Sequence, residues 1–271
     1  PSAAFSTPVG AAATTGGDTT AASSAGTTTP SSPSGALISV TVSGLGAGLN
    51  RMAVNYALQD NFLDLFFSGR FAADFYLTGG TALARFYFQH RESVDLDLFS
   101  QNQQLDFSAV NLEVERIGRE LELTTIKQVT TNTFLQFIFE DGEKNFLKVD
   151  LVKDIPVHFG EFKREGKVRL DSLENIGSNK ITAIFGRTDH KDFIDLYYIL
   201  NETNFTFEHL LSLAKQKDLG LTDFYLANSI DQIETASQMP VLLKPLDLNN
   251  YKEFYKKLSR DLFLKIKPED K

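Results

Sequence analysis

The chain has 271 residues, 27 Lys+Arg against 35 Asp+Glu, a net charge of −8 and 42% apolar residues, which is the composition of a folded globular protein. It has no Cys, so disulfide scaffolds, thiolate zinc sites and cysteine nucleophiles are excluded. Its four His (His90, His158, His190 and His209) show no zinc-ligand spacing, no apolar run reaches the roughly 18–20 residues needed to span a membrane, and the acidic balance argues against a protein that coats nucleic acid non-specifically.

Residues 1–36 are almost wholly Ser, Thr, Ala, Gly and Pro, with Asp18 as the only charge. Such a stretch buries too little apolar surface to offset its ordering entropy, so residues 1–48 are expected to form a disordered leader or a fusion segment. The first Lys or Arg is Arg51, so no basic n-region precedes an apolar stretch and a secretory signal is not expected.

Helical spacing over Met52–Ser68 predicts a helix that stops at Gly69. Asp74–Leu77 reads as a short strand, Thr78-Gly79-Gly80 as a tight turn and Thr81–Gln89 as a helix. Val94–Phe99 (VDLDLF) alternates apolar and acidic residues, the period-2 signature of a strand. Asp106 is a natural N-cap for a helix through Leu121. Strands follow around 122–130, at Thr133–Glu140 and at Asn145–Val152, with Asp141-Gly142 as a hairpin signal, and a short strand near Lys167–Leu170. Helices are expected near 172–186, 190–201, 206–217, 221–235 and 249–262. Strands thus cluster before residue 170 and helices after it, which predicts an α+β fold with a core over 49–170 and a helical region over 171–271.

The chemistry concentrates at 79–97 and at 150. In a strand, Asp95 and Asp97 point to one face. Paired carboxylates repel unless a cation sits between them, and a hard ion such as Mg2+ prefers oxygen ligands. The bland alternative is a solvated strand face. Gly79-Gly80-Thr81 opens a helix after a strand, where free N–H groups can receive a phosphate and the Thr81 hydroxyl can donate to it; the alternative is an ordinary turn. Asp150, in Phe146–Val152, supplies a third carboxylate. With Asp95 and Asp97 it could hold two Mg2+ ions for nucleotidyl transfer, or accept the proton of an attacking hydroxyl. Alternatively it is an edge-strand carboxylate paired with Lys148 or Lys153.

The run Leu77-Thr78-Gly79-Gly80-Thr81-Ala82-Leu83-Ala84, followed by His90-Arg91-Glu92-Ser93-Val94-Asp95-Leu96-Asp97-Leu98-Phe99, resembles the AbiEii family of nucleotidyltransferase toxins. That family belongs to type IV toxin–antitoxin and abortive-infection systems, within the polymerase-β-like superfamily. Lys180-Ile181-Thr182-Ala183-Ile184-Phe185-Gly186-Arg187 and Lys191-Asp192-Phe193-Ile194-Asp195-Leu196-Tyr197 resemble its later motifs.

The resemblance implies a cytoplasmic enzyme with a nucleotidyltransferase-type mixed sheet, flanking helices and a helical C-terminal part. It would transfer NMP from an NTP to a hydroxyl on RNA, in some relatives the tRNA 3′ end, opposed by a cognate antitoxin. Gly79, Gly80 and Thr81 would cradle the triphosphate. Asp95, Asp97 and Asp150 would bind Mg2+. Lys180 and Arg187 would face the triphosphate, with Asp195 near the nucleotide.

Lys191, Asp192 and Asp195 equally read as a structural ion-pair cluster, and Lys180 as a solvated helix residue. His90 and Arg91 read as structural, orienting Asp95. Segment 161–169 carries Lys163, Arg164, Lys167 and Arg169 against Glu161 and Glu165, 4 − 2 = +2, as an RNA contact or a solvated hairpin. Lys256 and Lys257, beside Tyr251 and Tyr255, form a second basic candidate. A non-catalytic binding module and a metal-dependent nuclease are the competing functions, and complete carboxylates favour the transferase.

Overall fold

A computed structural model describes residues 54–266; the predicted leader over 1–48 lies outside them. The element order is α1 (Tyr56–Ser68), β1 (Phe75–Thr78), α2 (Gly79–Ala82, continued by a π-helical turn Leu83–Tyr87), β2 (Asp95–Ser100), α3 (Phe107–Glu120), β3 (Thr124–Thr130), β4 (Phe134–Glu140), β5 (Phe146–Lys153), β6 (Lys163–Glu165) and β7 (Val168–Leu170). Five helices follow: α4 (Leu173–Gly186), α5 (His190–Glu202), α6 (Phe207–Lys217), α7 (Asp223–Asp231) and α8 (Leu248–Ile266). A 3-10 turn, Gln232–Thr235, follows α7. The fold is α+β, as the segregation of strands and helices predicts.

Side-chain caps fix where these helices begin. Asn55, Asp106, Ser172, Asp189, Thr206 and Thr222 each accept a hydrogen bond from a backbone N–H in the first turn of the helix that follows. Each cap satisfies one of the donors that a helix start leaves without a partner.

The seven strands form one sheet in the order β3-β4-β5-β2-β1-β7-β6. β2 runs antiparallel to β1 and parallel to β5. Leu96 and Leu98 of β2 are fully buried and belong to the same hydrophobic cluster as Phe62, Phe66, Phe75, Val110 and Ile117. Alternation therefore turns Asp95 and Asp97 to the opposite face. The cluster also takes in Ile181, Phe193, Leu210, Tyr251 and Tyr255 from the later helices.

Three local expectations differ from the structure. Gly79 is the first helical residue rather than a turn residue, and it takes φ +69°. The β4–β5 hairpin forms, but its left-handed residue is Lys144 (φ +68°), because the Asp141 carboxylate accepts hydrogen bonds from the N–H groups of Glu143 and Asn145 and sets a longer loop than Asp-Gly alone. Strand β6, with the sequence KRE, has no apolar alternation to reveal it; pairing with β7 creates it.

Candidate active site

The three predicted carboxylates meet on one sheet face. Asp97 stands in register with Thr78 of β1 on one side and with Asp150 of β5 on the other. Asp95 is in register with Lys148. β5 lies inside the sheet between β4 and β2, so Asp150 is not an edge-strand residue.

Asp150 does pair with Lys148. The Lys148 ammonium sits 2.9 Å from Asp150 Oδ2 and 3.3 Å from Asp95 Oδ2. Lys153 turns away and donates to the carbonyls of Gln103 and Leu105. Gln136 Nε2 donates to Asp150 Oδ1 at 2.9 Å. Gln136 escaped the sequence reading, although a Gln inside the apolar run TFLQFIFE is the kind of buried polar residue that needs a partner.

Crowding leaves an electrostatic mark. Burial, then the neighbouring Asp150 and Asp95, push the Asp97 carboxyl up to about 6. Burial raises Asp150 as well, against the pull of Lys148. Burial works against the Lys148 charge, but Asp95 and Asp150 outweigh it and hold its pKa above the usual lysine value.

The glycine turn lies against these carboxylates. A Cβ on Gly79 would stand 2.5 Å from Asp97 Oδ2, and one on Gly80 would collide with Arg91 Nη2. A Cβ at either position would displace that side chain, and Gly79 also takes a positive φ that favours glycine. Thr78 caps the helix with no side-chain bond, because its hydroxyl donates to Asp171 Oδ2. The Thr81 hydroxyl is fully buried and hydrogen-bonded to the Asp95 carbonyl and to Ser93 Oγ. It therefore tethers the helix to β2 and is not turned outward.

Behind the turn lies a buried ion cluster. Arg91 donates from Nε to Asp195 Oδ1 and from Nη2 to Asp195 Oδ2, each at 2.7 Å. Lys180 Nζ lies 2.7 Å from Asp195 Oδ2 and 2.8 Å from Asp192 Oδ1. Arg187 Nε donates to Asp192 Oδ2 at 2.8 Å. His90 Nε2 is 2.8 Å from Asp195 Oδ1, while its Nδ1 is buried without a partner.

Burial lowers the His90 pKa, so the neutral ring with its proton on Nε2 fits this contact. Against the cost of burial, Arg91 and Lys180 hold Asp195 well below the usual carboxylate range, and Lys180 and Arg187 hold Asp192 down to about 2.

Two sequence readings change here. His90 and Arg91 serve Asp195, not Asp95, because the chain from Tyr87 to β2 passes beside α5. Lys180 is not a solvated helix residue: it is buried between two carboxylates. Three cations against two carboxylates leave the cluster one positive charge in excess, 3 − 2 = +1. Arg187 is its most exposed member, with 35% of its side chain accessible.

Among the described residues, no three His, Asp or Glu side chains stand in a ready-made metal cage. The donor set nevertheless suits a hard divalent cation. It offers carboxylate oxygens, with the pKa values of Asp97 and Asp150 raised, and Lys148 already supplies positive charge between Asp150 and Asp95.

This sheet and its helices define the class of nucleotidyltransferase folds. Two solved structures from Helicobacter pylori share the architecture. One, described as a candidate nucleotidyltransferase, has a TM-score of 0.52 at 17% identity, covering 78% of this chain and 93% of that one. The other, JHP933, has a TM-score of 0.51 at 17% identity over 78% and 90%. Uncharacterized protein aq_aa25 of Aquifex aeolicus (strain VF5) is 25% identical over 168 residues, 61% of this chain and 76% of that protein. The family model described as "Nucleotidyl transferase AbiEii toxin, Type IV TA system" matches residues 62–265, so the chain belongs to the AbiEii family. It is a nucleotidyltransferase of a toxin–antitoxin family, and no helix among the described residues is long and apolar enough to cross a membrane.

Proposed function

We propose that this chain transfers NMP from an NTP to a hydroxyl of RNA, at the 3′ end of tRNA, in a Mg2+-dependent reaction in the cytoplasm, opposed by a cognate antitoxin. The observation that carries the reading is the register of Asp97 with Asp150, with Asp97 lying directly on Gly79. The carboxylates and the backbone that would bind phosphate then lie side by side.

In this reading Asp95, Asp97 and Asp150 hold the cation, up to two ions. When bound, the cation would neutralise charge on the phosphates and polarise the α-phosphate. The turn Gly79-Gly80-Thr81 offers backbone N–H groups to the triphosphate, at the positive end of a helix.

The Lys180–Arg187 side supplies the excess positive charge that favours departing pyrophosphate, with Arg187 the accessible member. Asp195 acts by holding Arg91 and Lys180 in place. Asp150, its pKa raised by burial, is the natural acceptor for the proton of the attacking hydroxyl. The acceptor oxygen attacks the α-phosphorus, the bond to the β-phosphate oxygen breaks, and pyrophosphate leaves with that electron pair.

The test is transfer of label from each of four α-labelled NTPs to total tRNA with Mg2+, for wild type and Asp97→Ala. Label on tRNA from wild type alone supports the reading. No label from any NTP, or equal label from Asp97→Ala, overturns it.

A further inference from the structure

We propose that the β6–β7 hairpin, through Arg164 and Arg169, grips the phosphates of the acceptor RNA strand. This rests on the RNA-acceptor reading above.

Strand register places both arginines on the carboxylate face. Tyr76 and Thr78 of β1 pair with Phe99 and Asp97 of β2 and share their face. Leu77 pairs with Leu170 in the parallel β1–β7 ladder, so Arg169 alternates onto the face of Tyr76 and Thr78. Arg164 stands directly opposite Arg169 and takes the same face. At about 4.8 Å per strand, Arg169 lies two strands, roughly 10 Å, to the side of Asp97.

Neither arginine of the pair is tied up in an ion pair among the described residues. Arg169 lies with its guanidinium 3.7 Å over the Phe162 ring, and Nη1 donates to the Ala73 carbonyl at 2.8 Å. His158 stacks on the same phenyl ring at 4.1 Å. Among the described residues, neither Arg164 nor Arg169 has a carboxylate within ion-pair distance, whereas Lys167 of the same hairpin is tied to Asp64 at 2.9 Å. Like charges directly opposed in a ladder are destabilising.

An anion that spans them removes the repulsion, and the guanidinium fork matches a phosphate. A cavity of about 160 Å³ opens beside Arg169 and Phe162, with Asp74, Tyr76 and the amides of Gln101 and Asn102 in its wall, and the Asp74 carboxylate accepts a hydrogen bond from Asn102 Nδ2 at 2.8 Å. A guanidinium plane and amide edges are what single-stranded RNA bases stack on and bond to. The hairpin is basic within a chain of net charge −8, so the attraction is local and not a coat of charge.

The experiment measures binding of fluorescent tRNA by anisotropy across a salt series, together with KM for tRNA in the label-transfer assay. Wild type, Arg164→Glu, Arg164→Lys and Arg119→Glu are compared. Arg164→Glu is expected to raise the Kd and KM for tRNA at least tenfold and to lower the salt slope by about one. Arg164→Lys is expected to restore most of the binding, and Arg119→Glu, an equal change of net charge on the exposed surface of α3, to leave it near wild type.

Equal tRNA binding and KM in wild type and Arg164→Glu overturn the proposal while the acceptor reading stands. An equal loss in Arg119→Glu overturns it in favour of bulk charge. A wild type that labels protein and binds no RNA overturns the acceptor reading and this proposal together.

Discussion

Arg91 holds Asp195 through two parallel hydrogen bonds of 2.7 Å, although the two residues stand 104 positions apart in sequence. Both side chains are buried, at 4% and 0% accessible. The same guanidinium packs against Gly80, so one residue ties the glycine turn to α5. Removing one partner leaves a buried charge uncompensated. Arg91→Ala and Asp195→Ala are each expected to cost about 3–5 kcal/mol. Urea denaturation of both single variants and the double variant checks this. The double variant should lose clearly less than the two single losses added, and strict additivity would refute the coupling.

Asp97→Asn separates stability from activity. The folded pKa of Asp97, about 6, lies above its unfolded value, so its ionised form penalises the native state at neutral pH. The contribution is favourable below the unfolded value near 4 and is lost as pH rises through about 6. Asp97→Asn is therefore expected to be more stable than wild type at pH 7.5 in EDTA, by about 1–3 kcal/mol, with the gain gone at pH 4. It should also abolish label transfer. Added Mg2+ should raise the Tm of wild type and leave that of Asp97→Asn nearly unmoved. Thermal scans at the two pH values, with and without Mg2+, decide it.

Acid should unfold the protein in two stages. His90 and His190 have lowered folded pKa values, so their native states resist protonation and stability falls as pH drops below about 6.5. Asp192 and Asp195 are depressed, so their contribution is complete above about 4 and is lost as pH falls toward 2. In Asp95→Asn/Asp97→Asn, which lacks the opposing effect of Asp97, Tm should fall gradually from pH 7 to 5 and steeply below pH 4. A flat Tm from pH 7 down to 3 would contradict both assignments.

Gly79→Ala is expected to cost about 1–3 kcal/mol for the positive φ alone. Its Cβ would also displace the Asp97 carboxylate. Label transfer should therefore fall by more than tenfold even at a temperature where the variant is fully folded by circular dichroism. A folded Gly79→Ala with wild-type transfer would show that Asp97 tolerates displacement.

Thr81→Val tests whether the hydroxyl is structural. It removes the bonds to the Asp95 carbonyl and Ser93 from a buried site, with an expected cost of about 1–3 kcal/mol. Thr81→Ser should keep both the stability and the transfer. Unchanged stability in Thr81→Val would return the hydroxyl to the phosphate.

Much of the site was legible because its signals are local. The alternation in VDLDLF fixes which face Asp95 and Asp97 share, and leucines on the other face fix the register. Asp106 reads as a cap because an N-cap acts within three residues. What was hidden depends on distant partners. Nothing near Lys180 indicates two buried carboxylates around its ammonium, since they come from the next helix after a change of direction. Strand β6 exists only because β7 offers it an edge. Lys148 stood in view as one of two possible partners of Asp150, but only the parallel pairing of β2 with β5 gives it Asp95 as well.

The order in which the site is made follows from the clamp on Asp195. During synthesis at roughly 5–20 residues per second, the hundred residues from Asp95 to Asp195 take about 5–20 s to emerge. A nascent chain that ends before α5 carries all three carboxylates and the glycine turn, but Arg91 and Lys180 still lack the anion that holds them. A chain released by translation that stops before α5 therefore leaves Arg91 and Lys180 without the Asp195 carboxylate that pairs with both of them in the complete fold.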